Sequence, residues 1–493
     1  MTVETLEPRE CFKWFAAIAQ IPRCSHNEKG IGDWLVTFAE ERGLAVRRDA
    51  LGNVCIKKPA ASGMEKAPTV ILQGHMDMVC VKGEGSSFDF SKDAVKLKVE
   101  GDRLSADGTT LGADNGIALA YILALLDASD IPHPPLEAVI TVQEEVGMEG
   151  AAGFDVAELA GEFFINLDSE EEGVFCVSCA GGRRSDVALP VARVPVTELE
   201  GNPAFFRISL GGLAGGHSGM EIDKQRGNAN RLMGRVLTAL AESFDVHLAA
   251  IAGGSASNVI PSECTAVICL KGGLPALRDS LAALAGTLRH ELRAADGEGL
   301  TLTASPAEPE PTVLTRDACA KVLAALTLIP DGVVSMDLGM AGERMVESSS
   351  NLGQVTMENG AVIFSSLTRS SIGSRKEFIY SQIKTVAALI GGEATCYGDY
   401  PAWEFSPESP LRDVFHKAYA SLFGKEAKAE GIHAGLECGF FYEKFRVLDR
   451  HVDFISFGPD ITGAHTVKEA VSIASVERMW RLLLDVLRRL GSI

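Results

Sequence analysis

Apolar and polar residues follow two alternating periods along the first part of the chain. Residues 8–19 and 31–42 carry apolar side chains at the spacing of amphipathic helices. Short runs rich in β-branched and aromatic residues come next and alternate with further helical stretches, at 70–72, 138–142 and 163–167. Strands that alternate with helices are typical of a largely parallel sheet flanked by helices, whose ligands bind beyond the carboxyl ends of the strands. The pattern therefore predicts an α/β domain with its functional site at that edge.

The pattern changes after about residue 185, where Leu-Pro-Val-Ala-Arg-Val-Pro-Val (residues 189–196) is typical of a linker. The strands predicted beyond it are 205–210, 266–271, 300–304 and 360–366, and the helices are 228–243, 276–295 and 377–389. From residue 410 the earlier pattern returns and closes with an amphipathic helix at 475–490. We therefore predict a main α/β domain formed by 1–186 and 396–493, with an α+β lid domain, 187–395, inserted into it.

The chain of 493 residues carries a formal net charge of -20 and has a pI of about 5.0. An acidic surface repels phosphate backbones and anionic lipids, so we expect no nucleic-acid partner and no membrane partner. The longest uncharged apolar run, 116–126, is too short to span a bilayer, and the N-terminal residues lack the pattern of a signal peptide. These features predict a cytoplasmic protein.

The 11 cysteines are odd in number and do not follow the spacing of a disulfide framework. This usage predicts free thiols in a reducing compartment. Cys176 and Cys179 form a CxxC pair, but they lie among strand-forming residues rather than at the start of a helix. We interpret this pair as structural and not as a redox site.

Side chains that commonly bind metals follow several of the predicted strands. His75 and Asp77 come at the end of Val-Ile-Leu-Gln-Gly-His-Met-Asp, and in an extended chain residues two apart lie on one face. One can bind a metal while the other accepts the second imidazole N–H. Asp114 precedes an apolar helix that begins near Ile117, where an aspartate is also a common N-cap. Taken alone, the residues favour the N-cap for Asp114.

Carboxylates follow two more strands. Glu144 and Glu145 come after Val-Ile-Thr-Val-Gln, and Asp168 comes after Phe-Phe-Ile-Asn-Leu. Adjacent carboxylates repel each other unless a cation or a shared proton intervenes, although a solvated acidic loop is the simpler interpretation. We interpret the acidic run at 170–172 as solvated surface. With His465 in Gly-Ala-His-Thr, the set has the histidines and carboxylates that Zn²⁺ and similar divalent ions prefer.

Taken in order, these motifs resemble the M20 family of metallopeptidases, which use two co-catalytic metal ions. The similarity rests on His75-Met-Asp77, Asp114-Asn115-Gly116, Glu144-Glu145, Asp168 and His465. The segments that are similar to the aminoacyl-histidine dipeptidase branch are Ile21-Pro-Arg-Cys-Ser25, Gly216-His-Ser-Gly219 and His433-Ala-Gly-Leu-Glu-Cys-Gly439. Members of that branch cleave Xaa-His or β-alanyl-histidine dipeptides. The resemblance extends over nearly the whole chain and implies a catalytic α/β domain with an inserted lid.

The resemblance also implies a role for each motif. The implied metal ligands are Asp114, shared by both ions, His75 and Asp168 for one ion, and Glu145 and His465 for the other. A cis peptide bond is implied between Asp114 and Asn115. Asp77 would orient His75, and Glu144 would be the general base. Zn²⁺ is the expected metal, although such ligands also accept Co²⁺ or Mn²⁺.

Signals in the predicted lid domain are weaker. His217 in a glycine-rich bend, Asn258 before Val-Ile-Pro and Arg369 in Ser-Leu-Thr-Arg could be an incidental histidine, a turn residue and a solvated strand residue. The resemblance instead implies that His217 stabilises the oxyanion. It implies that Asn258 and Arg369 contact the substrate, with Arg369 suited to its terminal carboxylate. It also implies substrate contacts for Gly435 and Glu437.

The sequence thus predicts metal-dependent hydrolysis of dipeptides, Xaa-His among them, with small peptides as substrates and two divalent ions as cofactors. Another M20 reaction, such as that of an aminoacylase, carboxypeptidase or tripeptidase, would need the same metal ligands and a different lid pocket. A catalytically silent scaffold is disfavoured because Glu144 and all five ligand candidates are present. The resemblance further implies a homodimer formed through the lid domain, whose closure brings Arg369 and His217 over the metals.

Overall fold

The computed structural model describes residues 3–201, 203–337 and 345–492. The chain divides into two compact units. The first contains the residues up to Cys179, Phe405–Gly431 and the residues from Leu436 onward, and the second contains Ala180–Glu404 and Ile432–Gly435. Each unit therefore consists of segments that are distant in the sequence.

Helices and strands alternate through both units. In chain order the helices are α1 (Arg9–Ile18), α2 (Lys29–Glu41), α3 (Ala113–Asp127), α4 (Glu149–Gly153), α5 (Ala229–Ser243), α6 (Leu274–Glu291), α7 (Arg316–Leu328), α8 (Gly373–Ile390), α9 (Pro410–Phe423), α10 (Glu437–Val447) and α11 (Ile473–Leu490). Short 3₁₀ turns lie at Val3–Thr5, Val196–Glu198, Ile222–Lys224 and Gly297–Gly299. The strands are β1 (Ala45–Arg48), β2 (Val54–Lys58), β3 (Val70–His75), β4 (Leu97–Glu100), β5 (Arg103–Ala106), β6 (Leu136–Thr141), β7 (Phe163–Asn166), β8 (Val174–Cys179), β9 (Gly181–Pro190), β10 (Arg193–Pro195), β11 (Ala204–Gly211), β12 (Gly216–His217), β13 (His247–Gly253), β14 (Val259–Ile260), β15 (Cys264–Leu270), β16 (Thr301–Pro306), β17 (Thr312–Leu314), β18 (Gly332–Asp337), β19 (Met345–Glu358), β20 (Ala361–Ser370), β21 (Glu393–Tyr400), β22 (Lys428–Ile432), β23 (Asp453–Ser456), β24 (Ile461–Thr462) and β25 (Ala470–Ser472).

An eight-stranded sheet with the order β1-β2-β6-β3-β7-β23-β8-β22 forms the centre of the first unit. Strands β6, β3, β7 and β23 run parallel, and β1, β2 and β8 pair antiparallel at the sides. Every residue of β3, β6 and β7 is buried, as expected of parallel strands covered on both faces. Helix α3 is buried on all sides over residues 117–126 because that stretch is uniformly apolar. The predicted α/β fold is confirmed.

The second unit contains a nine-stranded antiparallel sheet with the order β16-β11-β15-β13-β19-β20-β9-β21, and β18 also pairs with β19. Its core contains Leu237 of α5, Leu326 of α7 and Ile383 of α8, together with Phe364 of β20. Helices and antiparallel strands that share one core form an α+β unit. The inserted α+β unit predicted from the sequence is present.

The predicted linker at 189–196 is wrong. Strand β9 belongs to the second unit's sheet, where it pairs with both β20 and β21, and β10 pairs with β17. The prolines that indicated a linker stand at strand ends, since Pro190 ends β9 and Pro195 ends β10. Proline is tolerated there because it does not have to donate a hydrogen bond within the ladder. The division therefore lies at Cys179/Ala180 and Glu404/Phe405, rather than at the predicted positions near 186 and 396.

One pair of cysteines departs from the expectation of free thiols. Cys24 and Cys80, which are 56 residues apart, form a disulfide bond. The chain at Cys24 runs parallel to the chain at Met78, and this tertiary pairing has no signature in the cysteine spacing. The other nine cysteines are in no disulfide, and Cys176 and Cys179 lie in a strand as predicted. Within the described residues, no helix has both the length and the apolar character that crossing a bilayer requires.

Candidate metal centre

The polar residues predicted at strand ends lie together at the carboxyl edge of the first unit's sheet. Strand β3 ends at His75, which pairs in parallel register with Thr141 at the end of β6. Glu145 follows β6, and Asp168 follows β7. Because parallel strands end at the same edge of a sheet, these side chains converge there.

His75 lies among three carboxylates. Its Nε2 atom is 3.1 Å from Asp114 Oδ1 and 3.5 Å from Asp168 Oδ1. Its Nδ1 atom is 3.2 Å from Asp77 Oδ1, and the imidazole is only 1% exposed. His75, Asp114 and Asp168 thus form one compact triad that can hold a divalent ion.

His465 completes a second triad. Its Nε2 atom is 3.1 Å from Asp114 Oδ2 and 3.0 Å from Glu145 Oε2. This histidine is 53% exposed, whereas Asp114 and Glu145 are largely buried. The two triads share Asp114, which turns one carboxylate oxygen toward each histidine.

The spacing of these atoms suits metal ions. Two ligands that bind Zn²⁺ at about 2.1 Å in tetrahedral geometry lie about 3.4 Å apart. The histidine–carboxylate distances in the two triads range from 3.0 to 3.5 Å. Imidazole nitrogen and carboxylate oxygen are ligands that Zn²⁺, Co²⁺ and Mn²⁺ all accept. Glu144 lies close to the same atoms, since it forms a further candidate group with His75 and Glu145.

Asp77 fixes the surroundings of His75. Its fully buried carboxylate accepts hydrogen bonds from Ser25 Oγ at 2.9 Å and from the backbone N–H groups of Glu144 at 3.1 Å and Glu145 at 3.3 Å. One carboxylate therefore holds the loop after β6 and faces the Nδ1 atom of His75. A carboxylate in this position can orient the imidazole of His75, which is the role predicted for Asp77.

The N-cap interpretation of Asp114 is wrong. Helix α3 has Gly112 at its N-cap position, and the backbone leaves the helical conformation at Asp114 and Asn115, which are joined by a cis peptide bond. The carboxylate of Glu469 accepts the hydrogen bonds of the backbone N–H groups at the start of α3. The side chain of Asp114 instead points to His75 and His465.

Gly74 allows α3 to approach β3 closely. A Cβ atom at Gly74 would lie 2.4 Å from Asn115 Oδ1 and 2.8 Å from Ala118 Cβ. Asn115 uses this space to accept a hydrogen bond from the backbone N–H of His75 at 3.2 Å and to donate one to the carbonyl of Leu167 at 2.9 Å. The residue after Asp114 thus joins the ends of β3 and β7.

Burial and neighbouring charges perturb the acids and bases of this cluster. Burial raises the pKa of Asp168 to about 6, although His75 opposes it. Burial also raises the pKa of Glu144 well above its ordinary value, and the negative charge of Asp168 contributes. Hydrogen bonds to Asp114 and Glu145 raise the pKa of His465 to about 11. Carboxylates that repel one another in a buried cluster are stabilised by a divalent cation.

Two acidic residues are more buried than the sequence suggested. The side chain of Glu437, a predicted substrate contact, is fully buried in the first unit. Its Oε2 atom accepts hydrogen bonds from Gln73 Nε2 at 2.5 Å and Thr141 Oγ1 at 2.7 Å. Glu172 is not solvated either, since its carboxylate is 5% exposed and pairs with Arg478 at 2.6 Å. The sequence does not indicate that Gln73 and Thr141 contact Glu437 or that Arg478 pairs with Glu172.

His217 in the second unit is neutral and oriented. Its Nδ1 atom accepts hydrogen bonds from the backbone N–H groups of Gly219 at 3.2 Å and Met220 at 3.1 Å. A neutral imidazole whose Nδ1 accepts carries its proton on Nε2. Burial and the charge of Arg369 lower the pKa of His217. The ring therefore presents an N–H donor at Nε2.

Arg369 and Asn258 lie beside His217. Arg369 Nη2 is 3.4 Å from His217 Nε2, and Arg369 Nη1 donates a hydrogen bond to Tyr400 Oη at 2.9 Å. Arg369 is 5% exposed, so it is not a solvated strand residue. The backbone carbonyl of Asn258 accepts a hydrogen bond from Ser218 N–H at 3.0 Å. The second unit therefore brings together three residues that the sequence predicted for one site.

His433 is a member of the same cluster that sequence reasoning missed. Its Nε2 atom is 2.7 Å from Ser349 Oγ, and burial lowers the pKa of His433 to about 3. A Cβ atom at Gly219 would lie 2.5 Å from the carbonyl oxygen of His433, which explains a glycine next to the His217 bend. The half-buried Gly435 follows in the same segment of the second unit. The only sequence signal for His433 is its place in the motif that ends at Gly439.

Comparison with known proteins places these observations in a family. A sequence model described as Peptidase family M20/M25/M40 matches residues 71–489. The chain is 37% identical over 491 residues to a cytosol non-specific dipeptidase of Escherichia coli, covering 98% of each chain. The structure is also similar to the crystal structure of an aminoacylhistidine dipeptidase from Vibrio alginolyticus, with a TM-score of 0.92 over 99% of this chain and 98% of the other. The two sequences are 35% identical.

A more distant structural neighbour has the same fold. A tripeptidase from Staphylococcus aureus is similar with a TM-score of 0.55 over 99% of this chain and all of the other chain. The two sequences are only 16% identical, so this likeness concerns the fold alone.

Proposed function

The chain belongs to peptidase family M20/M25/M40, and from that premise we propose that it is a dipeptidase with two metal ions that cleaves Xaa-His and other dipeptides. The observation that carries the proposal is the pair of ligand triads that share Asp114. Two relatives with 35% and 37% identity support this substrate class, because both are dipeptidases by name and the similarity extends over almost their whole length.

Five residues would hold the two ions in this proposal. His75 and Asp168 would bind one ion, Glu145 and His465 the other, and Asp114 both. Zn²⁺ fits the nitrogen and oxygen ligands, and Co²⁺ or Mn²⁺ are alternatives. When bound, such ions lower the pKa of a water molecule, polarise the scissile carbonyl and stabilise the charge that develops on it.

Glu144 is proposed as the general base. It adjoins the ligand Glu145, and the hydrogen bond from its backbone N–H to Asp77 fixes the start of the loop that carries both residues. Its carboxylate would take a proton from the attacking water and deliver it to the leaving amine. This role requires a carboxylate close to the metal ligands but not bound by the metals, which the neighbouring positions 144 and 145 can supply.

The cluster in the second unit is proposed to bind the substrate. His217 Nε2–H would donate to the oxyanion, and Arg369 would bind the terminal carboxylate, a charge-assisted contact suited to a guanidinium. Asn258, and Gly435 through its backbone, would add contacts to the peptide. Closure of this lid over the metal centre and a homodimer formed through the lid belong to the same proposal, as does a cytoplasmic location.

The first experiment assays chelator-stripped protein on Ala-His, β-Ala-His, Gly-Gly, a tripeptide and an N-acetyl amino acid, with and without Zn²⁺, Mn²⁺ or Co²⁺. We expect metal-dependent cleavage of the dipeptides. The variant Glu144→Ala should lose about 10²- to 10⁴-fold in kcat, the range typical of general-base catalysis. Glu149→Ala, which removes an exposed glutamate from α4, is the matched control and should behave as the wild type.

Each other outcome contradicts a defined part of the proposal. Turnover of the tripeptide or the N-acetyl amino acid alone would retain the metal centre but reject the dipeptidase assignment. Binding of metal without turnover of any substrate would favour a catalytically silent scaffold.

A further inference from the structure

The start of helix α3 poses a problem that bears on the metal centre. The first N–H groups of a helix have no acceptor within the helix, and they attract a negative side chain. An aspartate at the N-cap commonly accepts them, but the N-cap residue of α3 is Gly112, which has no side chain. Asp114 lies in the first turn of α3, yet both of its oxygens face histidines instead. Another acceptor must therefore satisfy the backbone.

Glu469 is that acceptor. Its Oε2 atom accepts hydrogen bonds from the backbone N–H groups of Leu111 at 2.7 Å and Gly112 at 2.9 Å. Its Oε1 atom accepts those of Ala113 at 2.7 Å and Asp114 at 3.2 Å. The residue is 2% exposed, so water does not compete for these donors. A single carboxylate, more than 350 positions away in the sequence, satisfies four consecutive N–H groups.

Arg23 holds the same loop through its carbonyl groups. Its guanidinium donates to the carbonyl of Gly112 and to the carbonyls of Met76 at 3.1 Å and Asp77 at 3.0 Å. Arg23 is 3% exposed. Burial lowers the pKa of its guanidinium, and the nearby carboxylates, Glu469 first among them, oppose that shift. The loop before α3 is thus fixed between a buried cation and a buried anion, and Arg23 ties it to the residues next to His75.

We propose that Glu469 is a positioning residue for the metal centre. It takes over the capping of α3 and so leaves both oxygens of Asp114 available for the two metal ions. This inference rests on the proposed metal centre and assigns that centre a residue outside the ligand set. Glu469 touches neither metal nor substrate, and it acts through the orientation of Asp114.

The test measures metal binding directly. Metal-free wild type and Glu469→Gln are titrated with Zn²⁺ in the presence of a competing chromophoric chelator, and with Co²⁺ while its visible absorption is recorded. Glutamine keeps the shape of the side chain but replaces one accepting oxygen with an NH₂ group, so half of the cap is lost. We expect the affinity for metal to fall about 10- to 100-fold, the usual effect of changing a group that supports metal ligands. The Co²⁺ spectrum should change because the geometry at Asp114 changes.

Glu137→Gln is the matched control. Glu137 is 3% exposed and also binds backbone N–H groups, those of Ala160 and Gly161. These groups precede β7, at the opposite edge of the sheet from the metal centre. The control therefore loses a comparable buried capping interaction and should keep the metal affinity and the Co²⁺ spectrum of the wild type.

The outcomes separate this proposal from the proposed function. Wild type that binds no metal would reject the metal centre itself. Wild type that binds two ions, with Glu469→Gln unchanged in affinity and spectrum or no weaker than Glu137→Gln, would reject the role of Glu469 alone. If Glu469→Gln does not fold, Glu469→Asp, which keeps the charge but shortens the side chain, is titrated instead, and unchanged affinity in that variant would overturn the proposal.

Discussion

His217 offers a sharp test of the second unit's part in catalysis. The perturbation is His217→Ala, which removes an N–H donor and leaves the proposed metal ligands of the first unit in place. Because Nδ1 accepts two backbone N–H groups, the proton of the neutral ring resides on Nε2. The lowered pKa of His217 means that the ring is already neutral at pH 7. The variant therefore removes a hydrogen-bond donor and not a titrating charge.

The magnitude follows from this geometry. Loss of one donor to a developing oxyanion costs about 10²- to 10³-fold in kcat, or about 2.7–4 kcal/mol of transition-state stabilisation. The ground-state carbonyl is a weaker acceptor than the oxyanion, so KM should change much less than kcat. Since protonation of His217 occurs below its ordinary pKa, the ratio of wild-type to variant kcat should stay constant from pH 7 to pH 9.

The assay measures kcat and KM on Ala-His for protein with a known metal content. His290→Ala is the control, because His290 is exposed on α6 in the same unit. A fall in kcat with unchanged metal content would support the role of His217. A variant within threefold of the wild-type kcat, or one that loses metal, would refute the reasoning.

Two further predictions concern stability. Burial lowers the pKa of His433 to about 3 in the folded protein, whereas the ordinary pKa of histidine is about 6.5. The stabilisation from the neutral His433 is therefore complete above about pH 6.5. It falls as the pH approaches about 3, because the unfolded state then binds more protons than the folded state. Between pH 6.5 and pH 5, the free energy of unfolding of the metal-free wild type should therefore fall by up to about 1.4 kcal/mol per pH unit more than that of His433→Gln, as measured by urea unfolding. Parallel pH dependences of the two proteins would contradict this. The Cys24–Cys80 bond closes a loop of 56 residues, so Cys24→Ser/Cys80→Ser should lower the free energy of unfolding by up to about 4 kcal/mol. A dithiol reductant should lower the urea midpoint of the wild type to that of the double variant. A wild-type midpoint that does not change with reductant would show that the bond does not stabilise the fold.

The sequence predicted the elements that carry the metal centre because their signals are local. The buried runs of β3, β6 and β7 are continuous in the chain, and the polar residues directly after them had to meet at one sheet edge. The structure accordingly brings His75 and Asp168 within 3.5 Å. The metal-binding and catalytic roles of these residues stay predictions.

What the sequence did not indicate depends on contacts between distant segments. Glu469 looks like any acidic residue of a loop, and only folding sets it against residues 111–114. Glu172 and Glu437 suggested solvated and substrate-facing carboxylates, because the partners that bury them are far away in the chain. The linker prediction failed for a different reason, since proline marks both loops and strand ends.

Gly74 has a consequence for how tolerant this protein is to mutation. The position carries no chemistry, yet a single methyl group there would collide with Asn115 and Ala118 and displace the helix that bears Asp114. A survey of substitutions scored by activity should therefore find position 74 as intolerant as the proposed ligand positions around it. A relative that keeps all five proposed ligands but lacks glycine at this position would have a different packing of helix and strand beneath its site. A glycine that makes room for the helix can thus be as diagnostic of such a site as the proposed ligands themselves.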